Sequence, residues 1–438
     1  MHVRPDHVLP IDHGTEDAAI DAALANGDRF HRTVVAVAEG RATSVAGTGT
    51  IGRMLRRLAL YVLLAGCHAT PPAPPAAAAA PAAPATPAAP APARAPAVEE
   101  LGSLRNARVA LARTAERTPL TYFTRQLSEP QKRELERIAP HVRVVAGLSQ
   151  EQAIARADEA QAMDASYATP ELVRAAHNLV WVQSQGAGVE RYLAVKELAD
   201  ADRIVLTNMR GVHGPAIADH VFAMLLALTR DLPAHLAGRA QGKWNPDGSG
   251  VLKPIALKGR TLLVVGLGGI GSEIARRGHG FEMRVIATRR GDDPAPDFVE
   301  RVGKPQDLTA MLPSADVVAI AVPLTAETTH LFDRAAFAAM KPGSYLVNIA
   351  RGKVVDTDAL VDALTSGKLA GACLDVTDPE PLPSGHPLWK LPNVVITPHV
   401  ASDAELTDDR RFALFAENLR RFDAGEPLLN VVDKRAGY

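Results

Sequence analysis

From about Asn106 to the C-terminus, short apolar runs of β-like character alternate with helical segments, the pattern of α/β layers. Runs at 108–111, 142–146, 160–163 and 179–183 predict strands, with helices at 129–139 and 170–176 between them. A long apolar helix over 214–229 leads toward Thr261-Leu262-Leu263-Val264-Val265, which reads as a buried parallel strand. Further strands are expected at 284–287, 317–322, 345–348, 370–376 and 394–397. The last helix, over 405–422, is amphipathic and is expected to pack back on the first domain, making that domain discontinuous.

The apolar run at 261–265 is followed by Gly266-Leu267-Gly268-Gly269-Ile270-Gly271, and residues 272–277 open a helix. Gly266 allows a tight turn, Gly268 lets backbone approach a phosphate, and Gly271 brings the helix close to the strand. Free N–H groups and the helix dipole then face an anion. Glycine-rich turns alone are common, but between this strand and this helix the motif predicts a Rossmann-type site for a dinucleotide's pyrophosphate.

The first quarter differs in kind. Residues 1–53 are polar, then come Met54-Leu55-Arg56-Arg57, an apolar stretch over 58–66, Cys67, and an almost pure Ala/Pro segment over 71–96. A cationic start followed by a short apolar run is the signature of an export signal too short to span a bilayer. Leu64-Ala65-Gly66-Cys67 resembles a bacterial lipobox, in which Cys67 is lipidated, and the Ala/Pro segment behaves as an extended tether. Because an export signal begins a protein, translation is expected to start at Met54, with residues 1–53 as upstream sequence read in frame. The expected organisation is therefore 54–66 signal-like, 67–104 tether, 105–208 with 405–438 a substrate domain, and 209–404 a dinucleotide-binding domain.

The 438 residues carry 48 Lys and Arg against 49 Asp and Glu, which leaves no basic footprint for nucleic acid. Two cysteines without paired Cys/His spacing predict neither a disulfide framework nor a metal site, and Cys373 reads as a buried core thiol. Small molecules and protein are the expected partners, with a membrane engaged only through the lipid on Cys67.

Five motifs in order now carry a resemblance: Gly266-x-Gly268-x-x-Gly271, Val322-Pro323-Leu324-Thr325, Asn348-Ile349-Ala350-Arg351-Gly352, Leu374-Asp375-Val376-x-x-x-Glu380-Pro381 and Thr397-Pro398-His399. Over about residues 105–435 the chain resembles the D-isomer-specific 2-hydroxyacid dehydrogenases. Ser184-Gln185-Gly186-Ala187-Gly188-Val189-Glu190 and Thr207-Asn208-Met209-Arg210-Gly211 look most like their glyoxylate/hydroxypyruvate reductase branch. The resemblance implies two Rossmann-like, doubly wound parallel-sheet α/β domains, a homodimer formed through the nucleotide domains, and catalysis by Arg351, Glu380 and His399. It also implies cofactor contacts at Gly269, Ile270, Val322, Pro323, Ile349, Ala350, Asp375 and Ser402, with Asp375 at the nicotinamide carboxamide.

Residue chemistry agrees with those roles. Reduction of a 2-keto acid to a D-2-hydroxy acid needs a clamp for an anionic substrate, a group that polarises its carbonyl, and an acid for the emerging alkoxide. The planar, permanently charged fork of Arg351 suits the first two tasks, and His399 suits the third. Glu380 matches the family member that orients the imidazole and favours its protonated form. Gly186, Ala187 and Gly188 are expected to offer N–H groups to the substrate carboxylate. His386 and Trp389 read as structural.

One departure is informative. Where NAD enzymes carry an acid for the ribose 2′-hydroxyl, this chain has Ala287-Thr288-Arg289-Arg290, which would attract a 2′-phosphate. NADP(H) is the preferred cofactor, with NAD(H) possible. The expected function is an NADPH-dependent reductase of glyoxylate- or hydroxypyruvate-like acids; the alternative is a non-catalytic NAD(P)(H)-binding redox sensor or scaffold. The location is the cell envelope if the Met54 leader is used and cytoplasmic otherwise.

Overall fold

Five strands, β1 (Leu120–Thr124), β2 (Val142–Ala146), β3 (Ala162–Asp164), β4 (Trp181–Gln183) and β5 (Val205–Thr207), form a parallel sheet in the order β2-β1-β3-β4-β5. Seven more form a second parallel sheet: β6 (Thr261–Val265), β7 (Arg284–Thr288), β8 (Arg301–Gly303), β9 (Val317–Ile320), β10 (Ser344–Asn348), β11 (Leu369–Leu374) and β12 (Val394–Ile396). Its order is β12-β11-β10-β9-β6-β7-β8, so the chain starts in the middle and winds outward in both directions, the doubly wound plan expected. The computed structural model describes residues 102–104, 106–111, 119–244 and 247–438. The leader, Cys67 and nearly all of the Ala/Pro tether lie outside them.

In the first sheet, apolar residues face both ways because helices cover both sides. Helix α1 (Glu129–Ile138) starts at a capping box in which Ser128 and Gln131 satisfy each other's backbone N–H groups. Helices α2 (Gln150–Ala155) and α3 (Pro170–Ala175) cover the sheet further along, and Thr169 caps α3. The C-terminal segment closes this unit. Leu414, Phe415, Leu419 and Phe422 pack on Tyr122 and Trp181, with Tyr122–Phe415 and Trp181–Phe422 ring centroids 5.0 and 5.1 Å apart. Val431 then bridges antiparallel to Thr207 at the sheet edge.

Helix α4 (Gly214–Thr229) carries the chain across to the second sheet, followed by α5 (Leu232–Ala240). Helix α6 (Gly269–Gly280) packs along α4; its Gly278 has no room for a Cβ, which would stand 2.4 Å from Leu262 Cδ2. Helices α7 (Arg334–Ala339) and α8 (Thr357–Thr365) cover the opposite face, and α9 (Glu405–Ala424) returns to the first sheet. Cys373 is fully buried, and burial pushes its thiol far up from the ordinary range, in keeping with a core role.

Three expectations need correction. Residues 108–111 form no strand: Arg108 accepts a backbone hydrogen bond from Leu428, while Ala110 and Leu111 pack against the core of the first sheet. The helix after the glycine turn begins at Gly269, three residues before 272, because the turn is complete by Gly268. Strand β9 stops at Ile320 and not at 322; Ala321 still donates to Val265 O, after which Pro323, lacking an N–H, cannot extend the ladder. Strand β8 has only three residues, too short to announce itself by periodicity.

A single register row crosses the second sheet: Thr288, Val265, Ile320, Asn348, Leu374 and Ile396 pair in turn. Every strand of that row ends within a residue of it. The glycine turn, Val322, Arg351, Asp375 to Glu380 and His399 thus emerge from one edge of the sheet.

Candidate active site

At the glycine turn, Gly266 has φ +101°, and a Cβ there would lie 2.7 Å from Ala321 O. A Cβ on Gly271 would lie 2.0 Å from Gly266 O, so helix α6 docks on the turn only with glycine at this point. Gly266 N and Leu267 N donate to Thr288 O at 3.1 and 2.9 Å. Thr288 thus serves the turn through its carbonyl, and its side chain is buried. Gly268 caps α6 without a side chain, leaving the first-turn N–H groups and the positive helix end facing outward. Ile270 is half-buried against the core. This cradle fits a dinucleotide pyrophosphate.

Arg289 and Arg290 follow β7. Arg289 donates to Asp293 O, and its buried Nε has no hydrogen-bond partner. Arg290 is exposed, 3.5 Å from Glu327 and stacked over the Tyr438 ring at 5.0 Å. Lys304 joins them, donating to Arg290 O and pairing with Asp292. The sequence reading stopped at Arg290 and weighed neither Asp292 and Asp293 nor Lys304. Val322 is half-buried above Gly266, and Pro323 is exposed.

Arg351 leaves the end of β10, between buried Ala350 and Gly352. Asn348 shapes this exit: Oδ1 accepts from Ala350 N at 3.0 Å and Nδ2 donates to Arg351 O at 3.1 Å. The half-buried Arg351 guanidinium donates to Ala350 O at 2.7 Å and pairs through Nε with Glu190 at 3.3 Å. It also reaches the 186–188 turn, where a Cβ on Gly188 would stand 1.8 Å from Nη2. The guanidinium thus lies directly against Gly188. Among the described residues the N–H groups of Ala187 and Gly188 make no hydrogen bond, whereas Gly186 N donates to Ser184 Oγ at 3.2 Å. Two of the three expected donors are open. Asn208 holds the turn from below, donating to Ala187 O at 2.9 Å.

His399 Nδ1 lies 2.7 Å from Glu380 Oε1, and both side chains are exposed. A carboxylate on Nδ1 fixes that nitrogen as the donor to glutamate and leaves Nε2 for a substrate. Glu380 also accepts from Thr377 N at 3.3 Å. His399 itself sits at φ +57°, a left-handed conformation that histidine tolerates better than most residues. Its N–H donates to Asp375 O at 2.9 Å. Asp375, buried, accepts from Thr397 Oγ1 at 2.6 Å, Val400 N at 3.0 Å and Ala401 N at 3.0 Å. One lone pair of Oδ2 is left for any further donor. Half-buried Ser402 follows directly, and buried Ile349 comes immediately after β10.

His220, which the sequence did not single out, donates to Thr397 Oγ1 at 2.9 Å and stands 3.7 Å from Asp375. A lone histidine in an apolar helix offers no such signal. Glu190 and Asn208 lay inside motifs already noted, but only folding places them on Arg351 and Ala187. His386 caps the turn 387–390 and Trp389 donates to Pro383 O, structural roles as expected.

The arrangement sets a glycine-turn cradle, a half-buried arginine and a histidine–carboxylate pair along one edge of the second sheet of a two-sheet α/β protein. Comparison with known proteins agrees: residues 222–401 match the family described as "D-isomer specific 2-hydroxyacid dehydrogenase, NAD binding domain". The chain is 39% identical over 268 residues to a glyoxylate reductase of Korarchaeum cryptofilum, covering 60% of this chain and 79% of that one. A D-isomer specific 2-hydroxyacid dehydrogenase of Xanthobacter autotrophicus, solved with NADPH and MES, is 30% identical with TM-score 0.63, covering 73% of this chain and 100% of that one. An NADPH-dependent glyoxylate/hydroxypyruvate reductase of Sinorhizobium meliloti, solved with NADP and sulfate, is 26% identical with TM-score 0.61 over the same shares. The chain belongs to the D-isomer-specific 2-hydroxyacid dehydrogenase family, whose members here are NAD(P)-dependent oxidoreductases.

Proposed function

We propose that the protein reduces a small 2-keto acid, glyoxylate or hydroxypyruvate first, to a D-2-hydroxy acid with NADPH. The observation that carries this reading is the His399–Glu380 pair at 2.7 Å, on the same sheet edge as Arg351 and the glycine turn. The nicotinamide cofactor supplies the hydride when bound. Arg351 holds the substrate carboxylate and polarises its carbonyl, aided by the open N–H groups of Ala187 and Gly188. His399 Nε2 gives its proton to the carbonyl oxygen, and Glu380 stabilises the imidazolium before transfer.

NADPH is favoured because Arg289 and Arg290 stand in the stretch after β7 where NAD enzymes carry an acid that would oppose a 2′-phosphate, and Lys304 lies beside them. Small substrates are favoured by relatives named glyoxylate reductase and by a solved glyoxylate/hydroxypyruvate reductase, while other relatives are named D-3-phosphoglycerate dehydrogenase. Assay of glyoxylate, hydroxypyruvate and bulkier 2-keto acids with both cofactors tests the reading; turnover of none of them would refute it.

A homodimer is supported by apolar residues on and after α5 that lack cover in one chain. Leu236 is 56% exposed, Val251 58% and Trp244 96%. Light scattering on the purified chain would give twice the monomer mass, and a monomer at micromolar concentration would refute it. Envelope anchoring through Cys67 rests on the order of signal-like run, lipobox-like tetrapeptide and tether. Loss of membrane association in Cys67→Ser is the expected result, and an unlipidated native chain the contrary one.

A further inference from the structure

The loop between β5 and α4 carries Arg210, to which neither the family resemblance nor the comparisons give a role. Its backbone is held from three sides: Arg210 N donates to Asn208 Oδ1 at 3.1 Å, Asn430 Nδ2 donates to Arg210 O at 2.8 Å, and Arg410 donates to the carbonyls of Gly211 and Val212. So fixed, the loop lies over the start of α6. A Cβ on Gly269 would meet Gly211 Cα at 3.2 Å, and one on Gly268 would meet Arg210 Nη2 at 4.0 Å.

The guanidinium therefore stands beside the glycine turn, at the end of α6 where uncapped N–H groups face outward. Among the described residues its side chain makes no hydrogen bond or ion pair, although Arg210 is half-buried. The turn itself supplies no cation, since Gly266 to Gly271 hold only glycine, leucine and isoleucine. An unpaired cation beside an anion cradle, carried on a loop whose backbone is fixed, is matched to a phosphate, because a planar guanidinium gives paired charge-assisted hydrogen bonds.

We propose that Arg210 binds the cofactor's pyrophosphate, reaching it across the cleft from the loop that leaves the first sheet. The inference rests on the dinucleotide reading of the glycine turn. The same loop holds the substrate turn, through Met209 N to Gly186 O at 3.1 Å and Asn208 to Ala187 O. The pyrophosphate thus ties the substrate turn to the nucleotide domain. Unlike Arg289 and Arg290, Arg210 faces a group common to both cofactors, so it sets affinity without choosing between them.

The test is direct titration of NADPH and NADH into the full chain and into Arg210→Met and Arg210→Lys, followed by calorimetry. Arg210→Met is expected to weaken both cofactors by the same factor, about 10- to 100-fold, the worth of a charge-assisted hydrogen-bond pair. Arg210→Lys keeps the charge and is expected to recover at least about a third of the loss on the logarithmic scale. Raising salt should weaken the wild type more steeply than Arg210→Met. Unchanged affinity in Arg210→Met, or a loss confined to NADPH, overturns the proposal while leaving the dinucleotide site standing. Equal losses in Met and Lys variants with a lowered melting temperature would make Arg210 a structural residue and overturn it too. Absence of any dinucleotide binding by the wild type would instead remove the reading beneath it.

Discussion

Asp375 holds the chain on both sides of His399: its carbonyl accepts His399 N at 2.9 Å, and its carboxylate accepts Val400 N and Ala401 N at 3.0 Å each. The left-handed backbone at His399 thus has its N–H groups satisfied on one buried aspartate. In the proposed mechanism Asp375 is a positioning residue for the proton donor. In Asp375→Asn one carboxylate oxygen becomes an amide NH₂, and hydrogen bonds to a charged acceptor, worth about 1.5–3 kcal/mol each, are weakened. The expected result is kcat reduced about tenfold or more, with NADPH affinity changed much less. Lost NADPH affinity at unchanged kcat would instead assign the aspartate to the carboxamide alone.

Arg351 of the second sheet and Glu190 of the first form an ion pair at 3.3 Å beside the proposed substrate turn. Arg351→Ala is expected to lower kcat/KM for the keto acid by about 10²- to 10³-fold, through kcat and KM together. Glu190 pairs with Arg351 Nε and leaves part of the guanidinium for substrate, so it steadies the fork. Both side chains are about one-third exposed, which limits the pair to about 0.5–1 kcal/mol, and Glu190→Gln should raise KM only about two- to fivefold. A KM that fell in Glu190→Gln would show the carboxylate to be a competitor of substrate.

Cofactor choice is expected to rest on Arg289 and Arg290. Removing one charge-assisted contact to the 2′-phosphate costs about 1.5–3 kcal/mol, or roughly ten- to hundredfold. Arg289→Asp should therefore reverse the preference toward NADH, read as the ratio of kcat/KM values. Equal kcat/KM for NADH and NADPH in the unmodified enzyme would contradict the assignment.

His213, at the start of α4, gives a pH dependence of stability. It is buried, and desolvation together with nearby Arg411 and Arg410 pushes its pKa down to about 4. The unfolded chain takes up this proton near pH 6.5, the folded chain only near 4, so between those values the unfolded state binds more protons. Stability is fully present above about pH 6.5 and falls as pH drops toward 4, by on the order of 3 kcal/mol for this group. In His213→Asn that share of the decline should vanish from melting curves taken between pH 4 and 7. An unchanged slope would place the acid sensitivity elsewhere.

What the sequence made legible follows from local chemistry. Short motifs at strand ends survive folding unchanged, so Gly266 to Gly271, Arg351, Glu380 and His399 were readable, and β6 was visible as four apolar residues behind Thr261. Contacts between distant segments were not. Nothing local links Glu190 to Arg351, Asn208 to Ala187 or Arg210 to Gly268, because each pair spans a loop and its partner strand end. The run at 108–111 was misread because apolar residues that pack without a ladder look the same in sequence as those that pair.

The most direct test is steady-state oxidation of NADPH with glyoxylate by wild type and by His399→Gln, with cofactor affinity measured alongside. If His399 donates the proton, kcat should fall about a hundredfold or more across the pH range while NADPH affinity stays within about twofold, the cofactor being held elsewhere. Glu380→Gln should give a smaller loss in kcat, since the imidazole keeps a hydrogen-bond partner but loses its counter-charge. A near-normal kcat in His399→Gln would contradict the account.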